Sequence, residues 1–244
     1  MAETHLHDLK FRLMAVELLR MAKKQYTYRK LASHTNLPVT VLSRYVKGHV
    51  LPSTKRARKI WKDLESIVNL SQELERRIKF DELGYFDNTS IVGDVALLSQ
   101  AAQSALSRFA GKRITKVLTA AVDGIPLATE VASALGVDLV IAKKTKEVGV
   151  QEFVEETLIP GDSAVVMSLY VKRGLIKRGD SVLIVDDIIR TGETERALVN
   201  LILKSKADLA GVYALVAIGD KWRQAIEPLT GVLTEVVFSV KSPR

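Results

Sequence analysis

The chain of 244 residues contains no cysteine. That rules out a disulfide framework and any thiolate metal site. No apolar run approaches the ~20 residues needed to cross a bilayer, and residues 1–8 lack the pattern of a signal peptide. These absences point to a soluble, cytoplasmic protein with no membrane partner. Acidic residues are scarce in one region only. Residues 1–80 hold 17 Lys+Arg against 7 Asp+Glu, a net of +10, whereas residues 81–244 hold 19 against 21, a net of −2. A basic excess confined to the first third suggests a nucleic-acid or other acidic partner for that segment alone. Hydrophobic residues make up 47% of the chain, enough for a core in each of two domains, 1–80 and 81–244.

The most informative stretch runs from Val182 to Thr194. Four apolar residues, Val182 to Val185, follow a turn-rich Lys177-Arg178-Gly179-Asp180 and read as a buried strand. Asp186 and Asp187 come next, then Ile188, Ile189, Arg190, Thr191, Gly192, Glu193 and Thr194, then the helical spacing of Ala197, Leu198, Leu201 and Ile202. A strand that passes through two acids into a small-residue loop and a helix N-terminus presents unpaired N–H groups and a positive dipole end. Both suit a phosphate. The acids suit ribose hydroxyls or a hydrated Mg²⁺.

A second strand–loop–helix precedes it. Val117 to Ala121 reads as a strand, Val122-Asp123-Gly124-Ile125-Pro126 as a bend, and the residues to about Leu135 as a helix. A glycine at such a bend makes a backbone cradle for an anion. Val137 to Ile141 is the next strand and delivers Lys143 and Lys144, two cations suited to pyrophosphate charge. Residues 145–163 are polar and poorly periodic, as in a loop that closes over a site. Residues 164–177 read as hairpin strands, and Leu209–Ile218 and Leu233–Val240 as further strands.

The Val182–Thr194 stretch resembles the ribose-phosphate signature of type I phosphoribosyltransferases, which bind phosphoribosyl pyrophosphate (PRPP). The resemblance implies a parallel-sheet α/β domain with a small hood and sites at the strand C-termini. It assigns the 5′-phosphate to the loop 190–194 and the ribose 2′- and 3′-hydroxyls to Asp186 and Asp187, which would also be the ligands of Mg²⁺ arriving with PRPP. Residues 122–125 resemble the family's pyrophosphate loop, where a strained peptide is often found. A hood near the C-terminus would stack an aromatic ring on the base, and Trp222 with Lys221 beside it is the candidate. Lys143 to Gly149 departs from the orotate members, being one residue short, with Val148 where they have histidine. Ser168 to Asp187 is closer to xanthine phosphoribosyltransferases and to bacterial purine repressors built on this domain.

The N-terminal third is helical throughout. Apolar spacing predicts a helix over 5–24, another capped by Thr27, a turn at Asn36, a third helix opening near Pro38 and ending at Gly48, a fourth opening at 52–54, and a fifth over 70–80. Trp61 and Leu64 belong to the core, Asp81–Asn88 reads as a linker, and a helix follows over 91–109. Leu31-Ala32, Asn36-Leu37 and Val41 to Tyr45 resemble repressor-type helix-turn-helix domains of the Cro/CI kind. That resemblance puts Val39, Thr40, Ser43 and Arg44 at base edges and Arg29, Lys47 and His49 among the phosphate contacts.

Together the resemblances describe an all-α helix-turn-helix domain followed by a phosphoribosyltransferase-like α/β domain. The function they imply is a homodimeric transcription regulator, with no catalytic residues assigned. It binds a double-stranded DNA operator of nucleotide-metabolism genes and senses PRPP or a purine nucleotide. Archaeal regulators of this architecture are similar. The alternative is an active purine or orotate phosphoribosyltransferase carrying an accessory DNA-binding domain.

Overall fold

The computed structural model describes residues 5–242 except 66, 68, 83, 160–165 and 232. The chain divides into two compact units, Met1–Arg76 and Arg77–Arg244. No described helix is long and apolar enough to cross a membrane.

The first unit is built from α1 (His5–Gln25), α2 (Tyr28–Thr35), α3 (Val39–Val46), α4 (Thr54–Glu65) and most of α5 (Leu70–Arg77). Its core is the apolar side of each helix: Leu19 and Ala22 from α1, Leu31 from α2, Leu42 and Tyr45 from α3, Ile60 and Leu64 from α4, and Leu74 from α5. Trp61 is half-buried and tilts against Phe11, with ring centroids 5.9 Å apart. The Thr27 side chain accepts the Lys30 amide at 3.3 Å and starts α2. Asn36 ends it in the left-handed region at φ 51°, a conformation that asparagine tolerates better than most residues. Pro38 stands just before α3, where its missing N–H costs nothing. Gly48 turns the chain away at φ +76°. Arg20 Nε donates to the Val46 carbonyl at 2.9 Å, tying α1 to the end of α3. The fifth helix stops at Arg77, three residues short of the 70–80 expected from spacing, because Phe80 is used instead in a bridge with Phe86.

The second unit contains α6 (Thr89–Val92), α7 (Val95–Arg108), β1 (Lys116–Ala120), α8 (Gly124–Leu135), β2 (Asp138–Ala142), β3 (Phe153–Leu158), β4 (Met167–Lys172), β5 (Ser181–Ile189), α9 (Glu193–Lys204), β6 (Asp208–Ile218), α10 (Lys221–Thr230) and β7 (Thr234–Val240). Five strands form one parallel sheet in the order β2-β1-β5-β6-β7. Such a sheet must be covered on both faces, which is why β5 and β6 read as near-continuous apolar runs. Right-handed crossovers put α8, between β1 and β2, and α9, between β5 and β6, on opposite faces, because the chain travels in opposite directions across the sheet.

Three details differ from the sequence reading. The helix expected over 91–109 is two helices, interrupted at Gly93-Asp94, where the Asp94 side chain caps α7 by accepting the Ala96 and Leu97 amides. The stretch 145–163 is not all loop. Phe153–Leu158 is strand β3, paired antiparallel with β4 and standing apart from the main sheet. Half of its residues are only partly buried and two are exposed, so the apolar alternation that reveals a strand is weak. The third concerns the segment 81–88, described below with the site.

Gly211 sits where β6 carries one extra residue against β5, Val182 pairing with Leu209 and Leu183 with Gly211. An added Cβ there would overlap the Phe109 ring and lie 2.7 Å from the Leu233 carbonyl. Phe109 cannot retreat easily, since it packs edge-on against the buried Tyr213 ring at 6.4 Å. Gly211→Ala is expected to cost about 1–3 kcal/mol through overpacking. In a thermal melt the transition of this unit should fall by about 2–4 °C for each kcal/mol. An unchanged melting temperature would mean that the ring yields freely.

Candidate functional site

The sheet order reverses between β1 and β5, and in an open parallel sheet that is where a crevice forms beyond the strand C-termini. The loop after β1 and the loop after β5 meet there. Two adjoining cavities of about 400 and about 260 Å³ open at this place, sharing Asp123, Asp187, Ile188 and Thr194 in their walls.

The β5 loop folds as its composition requires. Gly192 takes φ +81°, and an added Cβ would lie 2.9 Å from the Trp222 carbonyl and 3.0 Å from Ala225 Cβ. Only glycine satisfies both the dihedral and the close approach of α10. Arg190, Thr191, Gly192 and Thr194 line the larger cavity, at the positive end of the 12-residue helix α9. The Glu193 carboxylate accepts the Thr191 hydroxyl at 3.1 Å and stiffens the loop. Ile188 reaches both cavities, but Ile189 is fully buried in the core and contributes no side chain to them.

The β1 loop is equally constrained. An added Cβ on Gly124 would lie 2.5 Å from Asp186 Oδ1 and closer still to Thr119 Oγ1. The glycine therefore lets the start of α8 lie against Thr119 of β1 and Asp186 of β5. Val122 stands 69% exposed at the cavity wall, and the Ala121–Val122 peptide is cis. Of the two lysines after β2, Lys144 is exposed and lines the smaller cavity. Lys143 is turned away. It pairs with Glu147, and its backbone exchanges hydrogen bonds with Tyr170 at 2.9 and 2.8 Å.

Asp186 and Asp187 are buried, with Asp187 N donating to Asp186 Oδ1 at 3.0 Å. Behind them is a third carboxyl that sequence reasoning passed over. Glu195, in the first turn of α9, is 2% exposed and reaches the larger cavity. Burial, followed by the charges of Glu195 and Asp187, pushes the Asp186 carboxyl well above the usual carboxylate range. Burial also pushes Glu195 up to about 7, aided by the charge of Asp187 and opposed by hydrogen bonds from its own backbone and Asp186.

Two expectations for aromatic residues change. Trp222 is 2% exposed, and its Nε1 donates to the Gly219 carbonyl at 3.1 Å. Its ring belongs to the core against β6 and α9 and offers no face to a base. Lys221 is exposed and lines neither cavity. In their place, the segment read as a linker supplies Tyr85, Phe86 and Asn88 to the wall of the larger cavity. Gly84, Asp87 and Asn88 look like turn chemistry, and that hid the two rings between them. The segment is held by a turn in which the Tyr85 amide donates to Asp81 Oδ1 at 2.7 Å.

In the first unit, Val39, Thr40 and Arg44 are exposed on α3 and Ser43 is half-buried beside them, opposite the buried Leu42 and Tyr45. Arg29 on α2, and Lys47 and His49 after α3, are exposed as well.

A carboxyl whose pKa is raised by folding favours the folded state while it stays protonated. That stabilisation is complete below about pH 4.5, the ordinary value for Glu195, and is lost as pH rises through about 7. Glu195→Gln cannot ionise. Melting curves of wild type and variant should therefore lie together at about pH 5 and separate by about pH 8, the wild type losing more stability than the variant, in which only Asp186 still carries a raised pKa. Parallel pH profiles would show that Glu195 is not ionising in the folded protein.

Residues 88–242 match the phosphoribosyl transferase domain. The chain is 30% identical over 177 residues to the purine biosynthesis transcriptional repressor PurR of Bacillus subtilis (strain 168), covering 72% of this chain and 62% of that protein. It is 27% identical over 149 residues to the probable purine biosynthesis transcriptional regulator PurR of Streptococcus pneumoniae serotype 4, covering 61% and 54%. It thus spans less than two thirds of either regulator. It is also 33% identical over 152 residues to a xanthine phosphoribosyltransferase of Brevibacillus brevis, covering 61% and 76%. The solved adenine phosphoribosyltransferase of Rhodothermus marinus DSM 4252 aligns with a TM-score of 0.61 at 24% identity, over 70% of this chain and 98% of that one, which is a likeness of fold. A family match over more than half the chain, on the same two loops that build the cleft, is decisive: this chain belongs to the phosphoribosyl transferase domain family.

Proposed function

We propose that the protein is a DNA-binding transcription regulator whose phosphoribosyltransferase domain senses PRPP or a purine nucleotide. The observation that carries this reading is the separation of two chemistries into two compact units. The first unit, residues 1–76, holds 15 Lys+Arg against 7 Asp+Glu, a net of +8, while the acid pair and both loops belong to the second unit. The kinship with purine regulators supports it.

In this reading α2 and α3 act as a helix-turn-helix. Arg44 meets a guanine edge, Val39, Thr40 and Ser43 meet neighbouring bases, and Arg29, Lys47 and His49 meet phosphates. A two-fold dimer presents two such helices to a palindrome. In the cleft, Asp186 and Asp187 receive the ribose hydroxyls, the 190–194 backbone takes the 5′-phosphate, and residues 122–124 with Lys144 take the pyrophosphate. Tyr85 and Phe86, which line the larger cavity, cover the base in this reading. Mg²⁺ fits the donor set, which is all oxygen. Among the described residues no group of three or more His, Asp or Glu forms a cage, so an ion held here would rely on the carboxylates together with the ligand's own phosphates. Ligand binding tunes operator affinity to the extent that it prefers one of two states of the dimer.

The second reading is a working purine phosphoribosyltransferase. The completeness of the cleft, with acid pair and both loops intact, favours it, as does the similarity to xanthine enzymes.

Fluorescence anisotropy on the upstream duplex of the protein's own gene, at fixed salt, separates the two. The regulator should bind selectively, and PRPP–Mg²⁺ should change its affinity severalfold. Arg44→Ala should weaken selective binding by about 1–3 kcal/mol. Replacing Asp186 and Asp187 together by Asn should leave DNA binding intact and abolish the PRPP response. Absence of selective binding, together with pyrophosphate release from PRPP and a purine base, would establish the enzyme instead.

A further inference from the structure

Asn88 stands immediately before α6, where an asparagine normally caps the helix by accepting one of its first amides. Here its side chain makes no capping bond. Asp87 takes that task, with Oδ1 accepting the Thr89 amide at 2.9 Å and the Thr89 hydroxyl at 2.5 Å. The Asn88 amide is turned the other way. Nδ2 donates to Asp187 Oδ2 at 2.7 Å, across 99 residues of sequence, and Asn88 lines the same cavity as Asp187.

We infer that Asn88 is a positioning residue of the effector site, holding the Asp187 carboxylate in the orientation that meets a ribose. This rests on the phosphoribosyl reading above. Asp187 is 6% exposed and lies beside two further buried carboxyls, Asp186 and Glu195. So enclosed, it has little water to hold it, and a protein donor is needed to fix where it points. A carboxylate offers about four acceptor sites on two oxygens. Asn88 takes one site on Oδ2, and acceptor sites remain on the carboxylate for a hydroxyl. A neutral amide suits the place. A lysine or arginine would neutralise the carboxylate and compete with the ligand, and an aspartate would repel it.

The donor is itself well held. The Arg77 guanidinium donates to the Ser90 carbonyl at 2.7 Å and to Asp94 Oδ2 at 2.9 Å. Phe80 bridges Phe86, their ring centroids 6.0 Å apart. The segment that leads to Asn88 is thus fastened at Arg77, at Phe80 with Phe86 and at Asp81 with Tyr85, and Asn88 itself closes onto β5. The segment follows directly from α5, so Asn88 is also where the chain entering the second unit first meets the acid pair.

Titration calorimetry on the full-length protein tests the assignment, with PRPP–Mg²⁺, ribose 5-phosphate and inorganic pyrophosphate as probes. Asn88→Ala should weaken both ribose-bearing ligands about tenfold, the loss of one hydrogen bond to a charged group, while pyrophosphate changes by less than about twofold. Asn88→Asp should weaken them further. In an Asp187→Ala background, adding Asn88→Ala should cost less than about twofold, because a residue that acts only through Asp187 has nothing left to position. An Asn88→Ala protein that binds PRPP like wild type, loses pyrophosphate equally, or adds its full loss to that of Asp187→Ala would overturn the inference and leave the phosphoribosyl reading standing. Wild-type protein that binds none of the three probes would overturn that reading, and the inference with it.

Discussion

Strands β1 and β5 are neighbours in the sheet, yet the chain leaves them in opposite directions, toward β2 and toward β6. No helix can cover the gap above their ends, because α8 and α9 have been sent to opposite faces. The two loops are therefore forced to face one another across open space. Gly124 lets the first loop lie against Asp186 of β5, and Gly192 lets the second loop turn under α10. The cavities, the position of the α9 N-terminus at a cavity wall and the placement of the acid pair all follow from that reversal.

What the reversal brings together is electrostatically awkward. Three carboxyls, Asp186, Asp187 and Glu195, are buried within one site. Two devices make this tolerable. Burial drives Asp186 and Glu195 toward their neutral forms, and Asp187 is met by a neutral amide donor. A binding partner that brings hydroxyl donors, or positive charge of its own, suits such a site better than an anion arriving alone.

The second unit was legible in sequence wherever local chemistry is strict. Four buried aliphatics, two acids and Thr-Gly-x-Thr have little freedom to be anything but strand, acid pair and loop, and they folded so. Strand β3 was hidden because Phe153 to Leu158 is a half-exposed hairpin in which two glutamates sit side by side, which spoils the alternation. Trp222 was misjudged because tryptophan suits both a stacking face and a core, and burial decides between them. Tyr85, Phe86 and Asn88 escaped because turn residues look alike whether they join domains or line a cleft. Glu195 escaped because a glutamate in the first turn of a helix is ordinary, and only three-dimensional packing reveals that this one is enclosed. In the first unit, Asn36 and Gly48 marked their turns correctly because positive φ is a demand few residues meet.

The positions of the two tryptophans have a practical consequence. The chain has only two, and each unit holds one. Trp61 is half-buried against Phe11 in the helical unit. Trp222 is sealed in the other, its backbone against Gly192 and its ring 4.5 Å from the Arg223 guanidinium. The protein therefore carries an intrinsic fluorophore in each half. With Trp61→Phe, emission reports the surroundings of Gly192; with Trp222→Phe, it reports the helical unit. Unfolding of the two halves can be followed separately, without attaching a dye.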